Sequence, residues 1–280
     1  MAVKRKFHVT SYVIRFFMWI YAGLVIFPLV WVFFTSLKTN KAFTEDPWKL
    51  FGSPQFINYV NAWNKASFGK YAMNSIVITL AMVLVSTLIA CCAAYVLVRI
   101  RFRGANHILT FFISGLYIPV VLILPTEFVM LNSMDLINNR AVLVLVYTAL
   151  SLPYSILVMS GFLRAIPREM EEAAYIDGCG LNRTFWEIAM PLAKNGIFTM
   201  AIFNLLWVWN DFVVTLTLII TEAKRTLPVG TISLAATFKF RADWVTLFAG
   251  LNMIMIPTVI VYIIFQKSLQ QGLTLGAVKG

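Results

Sequence analysis

The sequence predicts an all-α polytopic membrane protein with six transmembrane helices. Its composition is strongly apolar: 60% of the 280 residues are hydrophobic, only 12% are charged, and the mean hydropathy is +0.81. A soluble domain carries about 25% charged residues. The sequence also contains six apolar stretches that can each cross a bilayer core, which takes about 20 helical residues.

The six apolar stretches are continuous rather than alternating, which is typical of membrane helices and not of barrel strands. They occupy residues 16–37, 72–98, 108–130, 141–163, 195–220 and 245–266. The charged residues within them are Glu127 and Asp211. The first stretch is too long for the apolar core of a secretory signal, and no small-residue cleavage site follows it, so we interpret it as an uncleaved span. Because little chain lies outside these stretches, residues 16–266 are expected to form one transmembrane domain.

Basic residues in the short connections predict the orientation of the chain. The connection after the second stretch carries a cluster of three arginines: Arg99, Arg101 and Arg103. The next connection has only Arg140 as a basic residue. We therefore expect the N-terminal segment 1–15 and the C-terminal tail 267–280 to lie in the cytoplasm. The net charge of +11 is interpreted as juxtamembrane Lys and Arg residues and not as a nucleic-acid surface.

The sequence shows no group of residues typical of an enzyme or a metal site. Cys91, Cys92 and Cys179 lack metal-ligand spacing. The histidines, His8 and His107, stand alone near the ends of apolar stretches. A nucleotide-binding loop of the Gly-x4-Gly-Lys-Ser/Thr type is also missing from the sequence. We expect no enzyme activity, cofactor or metal, and no nucleotide hydrolysis by a loop of that type.

The connection 164–194 is long and charged, and its pattern predicts two short helices. Pro167 suits a first helical turn, and the three glutamates that follow complement the positive end of a helix dipole. Gly178 fits the end of the first helix, and Asn182 is expected to cap the second. Pro191 is expected to end the second helix where the fifth apolar stretch begins.

The spacing within this connection resembles the signature of ABC importer permeases. That signature reads Glu-Ala-Ala, three residues, Gly, nine residues, Ile, one residue and Leu-Pro, with Met190 here in place of the leucine. The resemblance implies the type I importer permease fold, in which the loop 164–194 is a cytoplasmic coupling-helix hairpin. It assigns ATPase coupling to the following residues: Glu172, Ala173, Ala174, Asp177, Gly178, Ile188 and Pro191.

Two further segments resemble the carbohydrate-uptake branch of that family. They are Trp-Asn-Asp-Phe at 209–212 and Leu-Pro-Val-Gly at 227–230, and the C-terminal residues 272–280 are similar to the tail of the MalG-like permeases. The resemblance implies a multi-pass subunit of a bacterial inner membrane that carries a sugar. It also implies a second homologous permease, a cytoplasmic ATPase dimer and an external sugar-binding protein as partners.

The fifth apolar stretch contains the candidate residues of the translocation path. They are Asn204, Trp209, Asn210 and Asp211. An aromatic face with neighbouring hydrogen-bonding groups suits a sugar, and an acid within a membrane helix usually lines a cavity or pairs with a partner. Asp211 equally fits a structural cap or ion pair near the external end of the helix. Glu127 is expected at a helix end.

Two alternatives remain open from the sequence. The chain could be an ABC permease for another small solute if the motif at 209–212 is misleading. An ion-coupled secondary transporter would explain six spans and buried acids, but it would not explain the spacing within 164–194.

Overall fold

The computed structural model describes residues 9–49, 53–65, 68–240 and 242–277, and all regular structure in these ranges is helical. The helices are α1 (Val9–Ser36), α2 (Asn40–Glu45), α3 (Ile57–Lys65), α4 (Phe68–Arg99), α5 (Ala105–Ser114), α6 (Val120–Ser133), α7 (Arg140–Ala165), α8 (Glu169–Ile176), α9 (Leu181–Arg183), α10 (Met190–Leu192), α11 (Lys194–Asn210), α12 (Val213–Leu218), α13 (Leu227–Phe240) and α14 (Trp244–Ala277). Turns of 3₁₀-helix occur at Gly115–Tyr117 and Glu222–Lys224, and Thr184–Ala189 is π-helical. His8 and the last three residues of the tail lie outside the described residues.

In the described part of the chain, four helices are long and apolar enough to cross a membrane alone: Tyr12–Ser36 of α1, Phe68–Arg99, Arg140–Ala165 and Trp244–Gln266 of α14. Two further candidates are bent pairs. Helix α5 with its 3₁₀ turn meets α6 at 99°, and the segment Leu181–Leu192 meets α11 at 73°. If each bent pair is counted as one span, the described helices cross the membrane six times. The six crossings stay a prediction because this number depends on counting the bent pairs in that way.

The bend within the stretch 108–130 is caused by a proline. Ile118 is extended, with φ −92° and ψ 114°, because the ring of the following residue, Pro119, disfavours helical geometry before it. Pro119 then stands immediately before the first residue of α6, where its missing N–H breaks no helical hydrogen bond. The expected third span is therefore two helices and not one straight rod.

The stretch 195–220 is also divided. Helix α11 ends at Asn210, Asp211 is extended with φ −69° and ψ 136°, and a short helix starts again at Val213. The last helix, in contrast, is longer than the expected sixth span, because α14 continues to Ala277 through most of the tail.

The chain divides into two compact units. One comprises residues 1–66 with 231–255, and the other comprises 67–230 with 256–280. In the first unit, Trp31 lies 5.5 Å from Trp48 and 5.4 Å from Phe248, measured between ring centroids. The apolar window of α1 has no residue that is buried among the described residues.

The core of the second unit is formed where α4, α7 and α11 pack together. Helix α4 contributes Ser86, Ala90 and Ala94, whose side chains are fully buried. Small side chains at this spacing let helix backbones approach closely, which stabilises helix contacts in lipid. Large side chains fill the remaining space, among them Met159 and Tyr147 of α7.

Gly230 provides a test of this packing. A Cβ atom at Gly230 would overlap the ring of Tyr71, which is 1% exposed and donates a hydrogen bond to Glu222 at 2.8 Å. We expect Gly230→Ala to lower the free energy of unfolding by about 1–3 kcal/mol through overpacking, measured as a lower thermal midpoint of the purified chain. Gly161→Ala is the control, because a Cβ there meets open space. Equal midpoints for the two variants would contradict this view of the packing.

Candidate functional site

The first half of the connection 164–194 contains the helix α8, and a glycine two residues after its last residue terminates it. Gly178 has φ +82°, and its N–H donates to the carbonyl oxygen of Tyr175 at 3.1 Å. The N–H of Cys179 donates to the carbonyl oxygen of Ala174 at 2.9 Å. These two bonds form a Schellman motif, which needs a left-handed residue at the position of Gly178. The prediction that Gly178 ends the first helix is confirmed.

The second half of the hairpin is helical from Leu181 to Leu192, with a π-helical segment in the middle. Its N-cap is Gly180. Asn182 lies inside the first turn, so the expectation that Asn182 caps this helix is wrong. Pro191 lies within the last turn, and Ala193 separates it from α11.

A buried ion pair fastens the hairpin to the end of α4. Arg99 Nε lies 2.8 Å from Glu171 Oε1, and the two side chains are only 6% and 8% exposed. Tyr95 donates to the other carboxylate oxygen of Glu171 at 3.3 Å. Arg99 also donates to the carbonyl oxygen of Ile166 at 2.9 Å, and the ring of Phe185 packs on Tyr95 with centroids 5.0 Å apart. One acid of α8 and one aromatic side chain of the π-helical segment therefore both contact α4.

Sequence reasoning missed this anchor. It used Arg99 only as an indicator of orientation, and it treated Glu171 as one of three acids at the start of a helix. A signal was present, since Glu171 precedes the signature glutamate Glu172 by one position and therefore points about 100° away from it on a helix. Burial of Glu171 and exposure of Glu172 follow from that difference.

The signature residues divide into an exposed set and an inward set. The exposed ones are Glu172, Ala173, Asp177, Gly178 and Pro191. Ala174 is buried and Ile188 is half-buried, so both contribute to packing within the unit. The exposed set gives the hairpin an outer surface with two carboxylates beside small residues.

Asn204, the first candidate of the translocation path, lies inside the helix packing. Its side-chain amide donates to Ser155 Oγ at 2.8 Å and to Ser86 Oγ at 3.4 Å, and the residue is 2% exposed. The amide thus links α11 to α7 and α4. Hydrogen bonds between membrane helices contribute about 0.6 kcal/mol each on average.

Trp209 and Asn210 have different surroundings. Trp209 lines a cavity of about 170 Å³ between α4, α11 and α14, together with Thr79 and Thr258. Its indole nitrogen is buried without a hydrogen-bond partner among the described residues. Asn210 is exposed; its amide donates to the carbonyl oxygen of Leu206 at 2.7 Å and accepts from Thr258 at 3.3 Å.

Asp211 caps the short helix α12. Its Oδ2 accepts from the backbone N–H of Val214 at 3.1 Å and of Thr215 at 3.3 Å, and from the hydroxyl of Tyr147 at 2.6 Å. Of the two interpretations left open by the sequence, this geometry favours the structural cap. The four path candidates are therefore not gathered around one cavity, because Trp209 alone among them lines the cavity described above.

The capping role predicts a loss of stability in a specific variant. Asp211→Ala removes the acceptor of three hydrogen bonds, and the loss of a cap costs about 0.5–2 kcal/mol. We expect a lower thermal midpoint for the purified Asp211→Ala protein, while Asp211→Asn keeps an acceptor oxygen and loses less. If Asp211→Ala melted like the wild type and abolished only transport, the residue would belong to the path and not to the cap.

Glu127 lies in the middle of α6, so the expectation of a helix end is wrong. Pro125 is accommodated inside this helix and does not terminate it. The Oε2 atom of Glu127 is buried and has no hydrogen-bond partner within the described part of the chain. Those same residues contain no group of three or more His, Cys, Asp or Glu side chains that could bind a metal.

Comparison with known proteins gives consistent matches. The sequence profile of the family described as "Binding-protein-dependent transport system inner membrane component" matches residues 84–275. The chain is 33% identical to the diacetylchitobiose uptake system permease protein NgcG of Streptomyces coelicolor, over 92% of this chain and 85% of that protein. It is 34% identical to the sulfoquinovosyl glycerol transport system permease protein SmoH of Agrobacterium fabrum, over 91% of this chain and 89% of that protein.

The fold also matches a solved structure, that of a bacterial ABC transporter involved in the import of the acidic polysaccharide alginate. The TM-score is 0.78 at 22% identity, and the match covers 95% of this chain and 99% of the other. The predicted all-α polytopic permease fold is confirmed.

Proposed function

This chain belongs to the family of binding-protein-dependent transport system inner membrane components, and we propose that it is the permease subunit of an ATP-driven ABC importer for a sugar. It takes a mono- or oligosaccharide from an external binding protein and releases it into the cytoplasm by alternating access. A chain of this family is a transporter subunit and not an enzyme. ATP hydrolysis is assigned here to a separate ATPase subunit. Both relatives described above are named for the uptake of sugar-containing compounds, which supports the class of substrate.

The single observation that carries this proposal is the geometry of the hairpin. An ATPase outside the membrane can move membrane helices only through a rigid contact. The exposed surface of the hairpin offers Glu172 and Asp177 as charged contacts, and Ala173 and Gly178 allow a close approach. Its inner surface is fastened to α4 through Arg99 and Glu171. A shift of the ATPase would therefore reach α4 as a rigid-body movement.

This assignment also supports the proposed orientation. The hairpin has to face the ATPase, so the loop 164–194 is cytoplasmic, and the segments 1–15 and 267–280 lie on the same side if the chain crosses six times. The second permease, homologous to this one, would complete the path in the membrane. We place the path on α11, beside the cavity at Trp209, which Thr79 and Thr258 also line, with Asn204 and Asn210 as further polar groups on the same helix.

The test is reconstitution with partners. The chain is expressed together with the second permease and the ATPase proposed as its partners, purified, and placed in proteoliposomes with the external binding protein of the same importer. We expect the ATPase to co-purify and the uptake of a radiolabelled sugar such as diacetylchitobiose to require ATP. Stable uptake by this chain without an ATPase would contradict the proposal.

The same proteoliposomes separate the proposal from ion-coupled transport. An uncoupler collapses ion gradients and leaves ATP in the vesicles unchanged. Uptake that persists with the uncoupler and stops without ATP supports the importer. Uptake that stops with the uncoupler at constant ATP indicates a secondary transporter.

A further inference from the structure

A group of arginines surrounds two adjoining cavities beside the hairpin. The cavities measure about 670 and 600 Å³ and lie where α4 and α7 end and α5 begins. They share Leu97, Val98, Asn106 and Arg168 as lining residues. Four exposed arginines contribute their side chains: Arg101, Arg103, Arg164 and Arg168. We name these four residues the arginine cluster.

The positive charge of the arginine cluster is not neutralised within the described residues. None of its members forms an ion pair there, and Glu169 is the only acid among the described residues that line either cavity. The neighbouring Arg99 differs, because Glu171 compensates it. Arg168 donates one hydrogen bond, to the carbonyl oxygen of Val98 at 3.4 Å. The cluster thus presents several free guanidinium groups to whatever occupies the cavities.

The walls of these cavities are apolar as well as charged. Leu97 and Val98 belong to the last turn of the apolar helix α4, and Ile166 follows the last residue of α7. Phe102 lines the second cavity. The cavities therefore lie at the level where two membrane-length helices leave the hydrocarbon. A ligand that fits must have an anionic group for the arginines and an apolar part for these walls.

We propose that the arginine cluster binds the headgroup of an anionic phospholipid. The phosphate accepts hydrogen bonds from the guanidinium groups, which match phosphate oxygens in geometry, and the acyl chains extend along Leu97 and Val98. Basic pockets between membrane helices at the cytoplasmic side are suited to such headgroups. An acidic protein surface is less well matched, since it would leave the apolar wall without a partner.

The bound lipid would lie next to the hairpin. Arg168 is the N-cap residue of α8, and its carbonyl oxygen accepts from the N–H groups of Glu171 and Glu172 at 3.0 Å each. A phosphate on the Arg168 side chain therefore fixes the residue at which α8 begins. Transport is accordingly expected to depend on anionic lipid in the membrane.

The experiment measures lipid binding to the full-length chain directly. Native mass spectrometry follows titrations with phosphatidylglycerol and with phosphatidylcholine, for the wild type and two double variants. Arg103→Gln with Arg164→Gln removes two members of the arginine cluster. Lys70→Gln with Lys194→Gln removes the same charge at two exposed lysines that do not line the cavities. Parallel titrations contain an excess of inorganic phosphate.

We expect the wild type and the lysine variant to retain phosphatidylglycerol over phosphatidylcholine, and the arginine variant to bind it roughly 30-fold more weakly. Binding that resists inorganic phosphate supports a lipid, whereas complete displacement by inorganic phosphate indicates a site for the free anion and overturns the proposal. Equal loss in both double variants overturns it as well. So does an arginine variant that keeps phosphatidylglycerol and loses its co-purifying ATPase, because the cluster would then be a protein interface.

Discussion

Replacing Glu171 with alanine is expected to reduce the stability of the chain by about 3–5 kcal/mol, because it leaves the buried guanidinium of Arg99 without its counter-charge. The pair is 2.8 Å apart and more than nine-tenths buried, so solvent compensates the unpaired guanidinium poorly. The measurement is the thermal midpoint of the purified protein. Because the hairpin would no longer be fastened to α4 by this pair, we also expect sugar uptake to fall further than ATP hydrolysis in the reconstituted importer.

A double variant distinguishes a lost interaction from damage by either substitution alone. Arg99→Met combined with Glu171→Met removes both charges and fills the space with apolar side chains. Replacing both members of a buried pair by apolar residues is often neutral for stability. We expect the double variant to be more stable than Glu171→Ala and than either methionine variant alone. If the costs of the two single substitutions simply add, the pair does not anchor the hairpin.

The hairpin contains its own control. Arg183 and Glu187 form an ion pair of the same length, 2.8 Å, but their side chains are 64% and 57% exposed. Solvent screens such a pair, and most exposed pairs contribute little to stability. Glu187→Ala is therefore expected to melt at nearly the wild-type temperature. A large effect of Glu187→Ala would show that burial is not what distinguishes the Arg99 pair.

The class of fold could be predicted from the sequence because hydropathy reports burial in lipid directly. The points at which the helices break within the apolar stretches could not be predicted from hydropathy. Ile118 and Asp211 leave helical geometry because of a following proline and because of a capping carboxylate, and an average over an apolar stretch does not detect either cause. Likewise, Pro125 does not end its helix, although Pro119 marks the start of one. Single residues determine these boundaries through ring sterics at Pro119 and capping hydrogen bonds at Asp211, neither of which hydropathy encodes.

Those features of the candidate site that depend on local sequence spacing could be predicted. The end of α8 at Gly178 follows from backbone geometry within one helix turn, and Gly178 has the positive φ that this helix end requires. The partner of Glu171 lies 72 residues away on α4, and no local pattern indicates it. The same limit applies to Asp211, whose contact with Tyr147 joins two helices. Long-range pairs need the packed structure.

Gly178→Val is expected to separate ATP hydrolysis from sugar uptake. Gly178 has φ +82°, and for a residue with a side chain the left-handed region costs roughly 1–2 kcal/mol. A β-branched side chain is especially unfavourable there. A Cβ at this position meets open space in the structure, so the effect arises from the backbone and not from a clash within the chain. We expect the end of α8 to shift, which displaces the surface proposed to contact the ATPase.

The graded outcome of three variants tests this argument. Gly178→Asn should retain more uptake than Gly178→Val, because asparagine tolerates the left-handed conformation. Gly180→Ala should retain nearly all of it, because Gly180 has φ −76° and a Cβ there also meets open space. The measurement is the ratio of sugar transported to ATP hydrolysed in proteoliposomes, with membrane insertion checked for each variant. An unchanged ratio in Gly178→Val would contradict the proposal that the left-handed backbone of Gly178 positions the hairpin for coupling. An equal loss of uptake in Gly180→Ala would contradict it as well.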